Sequence, residues 1–221
     1  MNSLKNRQKI LDNFLKICII DGWSNQSLKE AAAKSGFKDG DELLIFEDGI
    51  YSLIDFYFEI GNNEFRKKAE QLELEDLKIR DKIKNLVKLR LNIEEGNKNA
   101  LHSLVSISRG RRIPTLIKNS YNISDSMWRA SGDNSQDFNF YSKRIILSKI
   151  FTRVALKFID DESDNHQDSW NLLDKEISKI MKISTIKEKI KNSKINKAAK
   201  IACNLKENFK DLPFVRLFHK K

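Results

Sequence analysis

At 221 residues, with 40% apolar side chains, eight Gly and two Pro, the chain has material for one sizeable helical domain and too few turn formers for a β fold. Its net charge of +10 belongs to the C-terminus: residues 185–221 hold eleven Lys/Arg against three Asp/Glu, while the other 184 carry 30 against 28. No run of 18 apolar residues is present, so no transmembrane helix is expected.

Residues 7–18 place Ile10, Leu11, Phe14, Leu15 and Cys18 at helical spacing, and Gly22 ends that element. Ser24 or Ser27 can cap a second helix carrying Leu28, Ala31 and Ala32, which stops at Gly36. A short third segment, DELLIF, precedes the Asp48-Gly49 turn and a longer helix with Leu53, Ile54, Phe56, Tyr57 and Ile60. Short helices joined by tight turns predict a helix-turn-helix module over residues 1–50. DNA is a poor partner for it, because residues 38–49 set one Lys against five carboxylates and repel a phosphate backbone.

From 64 to 108 the chain reads as charged helix, with Phe65, Leu72, Leu74, Leu77, Ile79, Ile83, Leu86, Val87 and Leu91 on its apolar faces and a break at 92–99. Arg109, Arg111 and Arg112 precede Pro114, which suits the first turn of the next helix. These cations fit a helix C-terminus better than a phosphate or acidic-partner site. Residues 137–159 form the most apolar helix, with apolar groups on more than one face, so it is expected to be central. A polar turn at 163–168 leads to a last helix striped by Trp170, Leu173, Ile177, Ile180 and Met181. Nine or ten helices follow, in an all-α fold with a helical domain over 51–190 and a basic tail over 191–221.

Enzyme signatures are scarce. His102, His166 and His219 make no metal-ligand spacing, and there is no glycine-rich phosphate loop. The acids Asp160, Asp161, Glu162, Asp164 and Asp168 around His166 fit a capped turn better than a cation site. Cys18 and Cys203 read as small buried hydrophobes of a reducing compartment. The N-terminus MNSLKNRQKILDNF lacks a signal peptide's apolar core and enters a helical pattern at once. With the Lys, Asn and Ile richness, this predicts a cytoplasmic bacterial protein. The chain reads as a binder with no cofactor, not an enzyme.

The tail carries a clear pattern. Wound as a helix, residues 194–212 gather Ile195, Ala198, Ile201, Ala202, Leu205 and Phe209 on one arc, backed by Lys197 and Lys200. An apolar stripe backed by lysines suits a membrane interface, each Lys adding about 1 kcal/mol near anionic lipid. Packing of the stripe on the protein's own body or a second subunit is the alternative.

Two stretches resemble known families. The pattern R7..IL...F......DGW...SLKEAAAKSGF is similar to the N-terminal domain of the tetracycline-repressor superfamily, which implies a C-terminal ligand-binding and dimerisation domain and a homodimer. MWRASGDNSQDFNFYSKR, with the following apolar helix and DDESDNHQDSWNLLDKEISKIMK, resembles the lipid-binding accessory protein counted ninth in coenzyme Q biosynthesis. That resemblance implies a non-catalytic protein at the inner membrane. It would present polyprenylated quinone lipids to the di-iron hydroxylase acting on demethoxyubiquinone, or to an equivalent biosynthetic enzyme. By position, Trp128, Asp133, Asp137, Phe138, Asn139, Phe140, Tyr141 and Arg144 correspond to the hydroxylase-binding patch. Phe140 stands where the family has Trp, and so lacks an indole N–H. Cavity candidates for the lipid are Leu101, Leu104, Leu116, Ile117, Ile150, Phe151 and Val154. A ligand-responsive transcription regulator of the same superfamily is the alternative.

Overall fold

The structure is a computed structural model that describes residues 4–107, 112–134 and 138–192. Nine α-helices occur among them: α1 (Leu4–Asp21), α2 (Asn25–Lys34), α3 (Asp41–Ile45), α4 (Ile50–Ala69), α5 (Ile79–Ile93), α6 (Lys98–Ile107), α7 (Ile113–Ala130), α8 (Phe138–Ile159) and α9 (Gln167–Asn192).

The first core forms where the predicted stripes of α1 and α2 meet. Ile10, Leu11, Phe14, Cys18, Leu28, Ala31 and Ala32 pack with Trp23, Phe46, Leu53 and Tyr57. Ser24 caps α2 by accepting the Ser27 N–H at 3.0 Å. Asn25 Oδ1 accepts the N–H of Ile50 at 2.8 Å and so caps α4 from another helix. Gly49 at that junction has φ +56°, and a Cβ there would fall 2.6 Å from Asn25 Oδ1, so glycine is needed for both reasons. Trp23 donates its indole N–H to Ala100 O at 2.8 Å, tying α6 to this core.

The second core gathers Phe65 of α4 with Ile83, Leu86 and Val87 of α5, Ile123 and Met127 of α7, Leu147, Val154 and Phe158 of α8, and Leu173 and Ile177 of α9. Helix α4 is shared: Leu53, Ile54, Phe56 and Tyr57 face the first core, and Phe65 and Ala69 the second. One expectation fails here. Leu72, Leu74 and Leu77 belong to the non-helical connection between α4 and α5, with Leu72 and Leu77 exposed. Apolar and acidic residues alternate through LELEDL, which gives a helix no continuous stripe. The predicted break near 92–99 is present as a short 3-10 turn between α5 and α6.

A buried polar knot joins α4 to the end of α5. Arg90 and Glu94 form an ion pair, Tyr57 donates to the other Glu94 oxygen, and all three are at most 5% exposed. Burial and the Glu94 charge push the Tyr57 hydroxyl well above its usual range. Gly61 makes room for the knot, since a Cβ would fall 2.7 Å from Arg90 Nη2. Of the 160–168 acids, Asp161 acts as the cap. Asp161 accepts the backbone N–H and hydroxyl of both Ser163 and Ser169. Burial pushes its carboxyl up, but these bonds outweigh burial and hold it well below the carboxylate range. Burial pushes the Cys18 thiol up to about 12, as an inert core thiol requires. Cys203 lies outside the described residues.

Arg90→Ala, which strands Glu94 in the core, is expected to lose about 3–5 kcal/mol in urea unfolding. Asp161 is depressed in the folded state, so its contribution is present above its unfolded value and lost as pH falls below about 4. The stability gap between wild type and Asp161→Asn should therefore shrink as urea titrations move from pH 7 towards pH 3.

Candidate functional site

The α7–α8 corner is built around Arg144, whose side chain is 1% exposed. Its Nε donates to Asp125 Oδ1 at 2.5 Å, and Nη1 donates to Asp133 Oδ2 at 3.2 Å and to Phe140 O at 3.0 Å. The guanidinium lies 3.4 Å from the Phe140 ring centre. That stacking realises the i, i+4 relation of the two residues on α8. Asp133 is also buried, and Lys143 pairs with it at 2.6 Å. Lys143 Nζ sits 5.4 Å from the Trp128 ring, and the indole N–H donates to Lys143 O at 3.0 Å. Partial burial pushes Asp125 up, but hydrogen bonds from Arg129 and Arg144 prevail and keep its carboxyl below the usual range.

This network sorts the expected patch. Asp133 and Arg144 are internal braces rather than contact residues, and Trp128 is half-buried against the second core. Tyr141 is 59% exposed and meets the Phe140 ring edge-on at 5.1 Å. Ile145 and Ile146 continue the exposed apolar surface along α8. Asp137 and the side chains of Phe138 and Asn139 lie outside the described residues. Sequence reading missed Asp125, the partner of Arg144. Its spacing of four from Arg129 was the available signal, and that pair is formed at 2.8 Å.

The expected lipid-cavity residues are not brought around one space. Leu101 and Leu104 belong to the first core with Leu116 packed against it, while Ile150, Phe151 and Val154 fill the second. Ile117 is 49% exposed. A polar cleft of about 340 Å³ lies between α4 and α7. The tail set, Ile195, Lys197, Ala198, Lys200, Ile201, Ala202, Leu205 and Phe209, lies outside the described residues, as do Arg109 and Arg111. No group of three or more His, Cys, Asp or Glu suited to a metal occurs among the described residues.

In class the protein is all-α with a tetracycline-repressor-like fold, carrying an aromatic face at the start of its long α8. Residues 113–184, which span α7, α8 and most of α9, match the family model described as COQ9. The chain is 26% identical over 192 residues to the probable ubiquinone biosynthesis protein coq9, mitochondrial, of Dictyostelium discoideum, covering 84% of this chain and 62% of that protein. It is 22% identical over 197 residues to human ubiquinone biosynthesis protein COQ9, mitochondrial, covering 85% and 61%. A Xenopus laevis COQ9-B protein is 28% identical over 186 residues, covering 79% and 62%. By these matches the chain is similar to COQ9 proteins, with the family model itself matching only α7 to α9. It spans about three fifths of the length of these relatives.

The expectation of a bacterial cytoplasmic and inner-membrane location is corrected by the same findings, because the relatives are named as mitochondrial proteins of eukaryotes. That expectation rested on composition and on the first residues of the chain. Neither distinguishes a bacterium from an organelle.

The network predicts an asymmetry between neighbours on α8. Arg144→Met should cost about 3–5 kcal/mol in urea unfolding, because it removes the buried cation shared by two carboxylates and leaves Asp125 to the exposed Arg129 and Asp133 to Lys143 alone. Tyr141→Ala, at an exposed position, should stay within about 0.5 kcal/mol of wild type.

Proposed function

We propose that the chain is a non-catalytic, lipid-binding accessory protein of ubiquinone biosynthesis. In this reading it acts as a homodimer, holds a polyprenylated quinone intermediate at a membrane, and presents it to the di-iron hydroxylase of that route. The observation that carries the proposal is the face at the start of α8: Tyr141 stands in solvent over a Phe140 ring clamped by Arg144. An aromatic anchor held rigid before binding loses little entropy on docking, which is how a hot spot is built. The relatives' names supply the pathway. The five carboxylates around α3 favour this reading over a DNA-binding regulator, and Leu43 and Leu44 face solvent among them.

A long isoprene tail is insoluble, and burying its first units offsets exposure at about 25 cal/mol per Å². Both described cores are closed around Leu104 and Val154, at 1% and 0% exposure. Lipid entry along Ile150 and Phe151 therefore requires α8 to move from its neighbours. The basic 194–212 stripe would supply the membrane attachment.

Tyr141→Ala should weaken capture of the hydroxylase by about 2 kcal/mol or more, read by titration of the two purified proteins. Its isoprenoid content by mass spectrometry should stay at the wild-type level. Loss of lipid together with partner would mean that the face belongs to the lipid site. Deleting residues 192–221 should abolish co-sedimentation with anionic vesicles, and unchanged sedimentation would overturn the membrane role of the tail.

A further inference from the structure

We infer that the acidic face of α3 is a docking surface for the basic tail of a second copy of this chain. Leu43 and Leu44 stand side by side on α3, 51% and 62% exposed. Carboxylates surround them in sequence: residues 38–49 set Asp39, Asp41, Glu42, Glu47 and Asp48 against Lys38. Glu42 is buried and accepts the Gly40 N–H, and Asp39 is paired with Lys29 at 2.7 Å. Glu47 and Asp48 are exposed, and their carboxyls make no hydrogen bond or ion pair among the described residues. They line a groove of about 190 Å³ with Ile45, Ser52 and Arg7, whose guanidinium lies over the Phe46 and Phe56 rings at 5.1 and 4.2 Å.

A surface that repels a phosphate backbone attracts the opposite charge, and the tail supplies it. Residues 185–221 carry eleven Lys/Arg against three Asp/Glu, and residues 194–212 set Ile195, Ile201, Leu205 and Phe209 among lysines at helical spacing. An apolar stripe in water and two bare leucines each need a cover, and each offers the other apolar area with complementary charge. Chain geometry assigns the tail to another molecule. Helix α9 is antiparallel to α8, through Lys157–Asp168 at 2.9 Å and Arg153–Glu176 at 3.6 Å, so it runs back towards the start of α8. Ile45 and Phe46 belong to the first core, against which Ile159 packs at the other end of α8. The 22 residues of α8 put about 33 Å between those ends, at about 1.5 Å per residue. Residues 194–212 wound as a helix span only about 28 Å. They fall short of the α3 of their own chain, whereas a second copy lying antiparallel brings its α3 to them. A two-fold axis then makes the contact twice, and the assembly closes as a dimer. This inference rests on the homodimer proposed above and assigns its interface.

A paramagnetic label tests it in the full chain. Cys203 lies in the tail and Cys18 is buried, so a nitroxide attached through a thioether goes to Cys203 alone. Chains carrying the nitroxide are mixed in urea with isotope-labelled chains that lack it, and the two are refolded together. Broadening of the Leu43, Leu44, Glu47 and Asp48 amides is expected, and it should shrink in high salt. Glu47→Gln with Asp48→Asn should weaken dimerisation about threefold to tenfold by sedimentation, as two exposed charge contacts predict. Leu43→Ser with Leu44→Ser should remove the broadening and leave the circular dichroism unchanged. Glu73→Gln, in the α4–α5 connection, should change nothing. Broadening that appears only when nitroxide and isotope share one chain would mean that the tail covers its own body, and overturns the second-copy assignment. A dimer that persists with no broadening at α3 sinks the docking surface and leaves the homodimer standing. A monomer without broadening sinks both. Equal weakening by Glu73→Gln also overturns the proposal, since any carboxylate would then serve.

Discussion

The buried guanidinium of Arg144 is the constraint on which the α7–α8 corner depends. An unpaired cation in the interior costs several kcal/mol, so its neighbours are not free to vary independently. Asp125 must come from α7, Asp133 from the turn and the Phe140 carbonyl from the preceding helical turn, all within reach of one planar fork. Lysine cannot replace that fork, because a point charge cannot serve three acceptors in different directions. Once the guanidinium is satisfied, the Phe140 ring has one position, flat on its face. Tyr141, the next residue, is then projected outward. An exposed feature is thus fixed by an internal charge.

Arg90 is the second fully buried guanidinium and is satisfied differently. It has one carboxylate, Glu94, and its Nε and Nη2 find no partner. The knot it forms with Tyr57 lies where α4 passes from the first core to the second, beside the glycine that admits it. An all-apolar contact at that point would be at least as stable and would let α4 slide along α5 in more than one register. The directional bonds exclude the slipped arrangements. Both arginines therefore trade stability for a single geometry, one at the joint between cores and one at the exposed face.

These differences explain what could be read from the chain alone. Helices were legible wherever an apolar stripe ran without interruption, as in α1, α2, α4, α8 and α9, and so was the break after α5. LELEDL misled because its leucines have helical neighbours in sequence but no common face. At the site, Phe140 and Arg144 could be paired from their spacing of four. Their burial could not, because Asp125 and Asp133 come from other elements and only tertiary structure brings them in. The lipid-cavity set shows the same limit: Leu104 and Val154 look alike in sequence and end in different cores.

The placement of charge separates the ways in which the two ends of this molecule can make contacts. At the α8 corner Asp125 and Asp133 pair with Arg129, Lys143 and Arg144, which leaves a net charge of only +1, with several of the groups away from water. Little field is left there, so any contact made through this face would rest on ring area and shape, with weak dependence on salt. The last 37 residues are the opposite case, eleven cations against three carboxylates. Their attraction to any anionic surface is long-ranged and falls off over a Debye length of about 8 Å at physiological ionic strength. A molecule built this way can be gathered to a charged surface by one end while the other end chooses its partner by fit. Salt would act on the first kind of contact and leave the second nearly untouched.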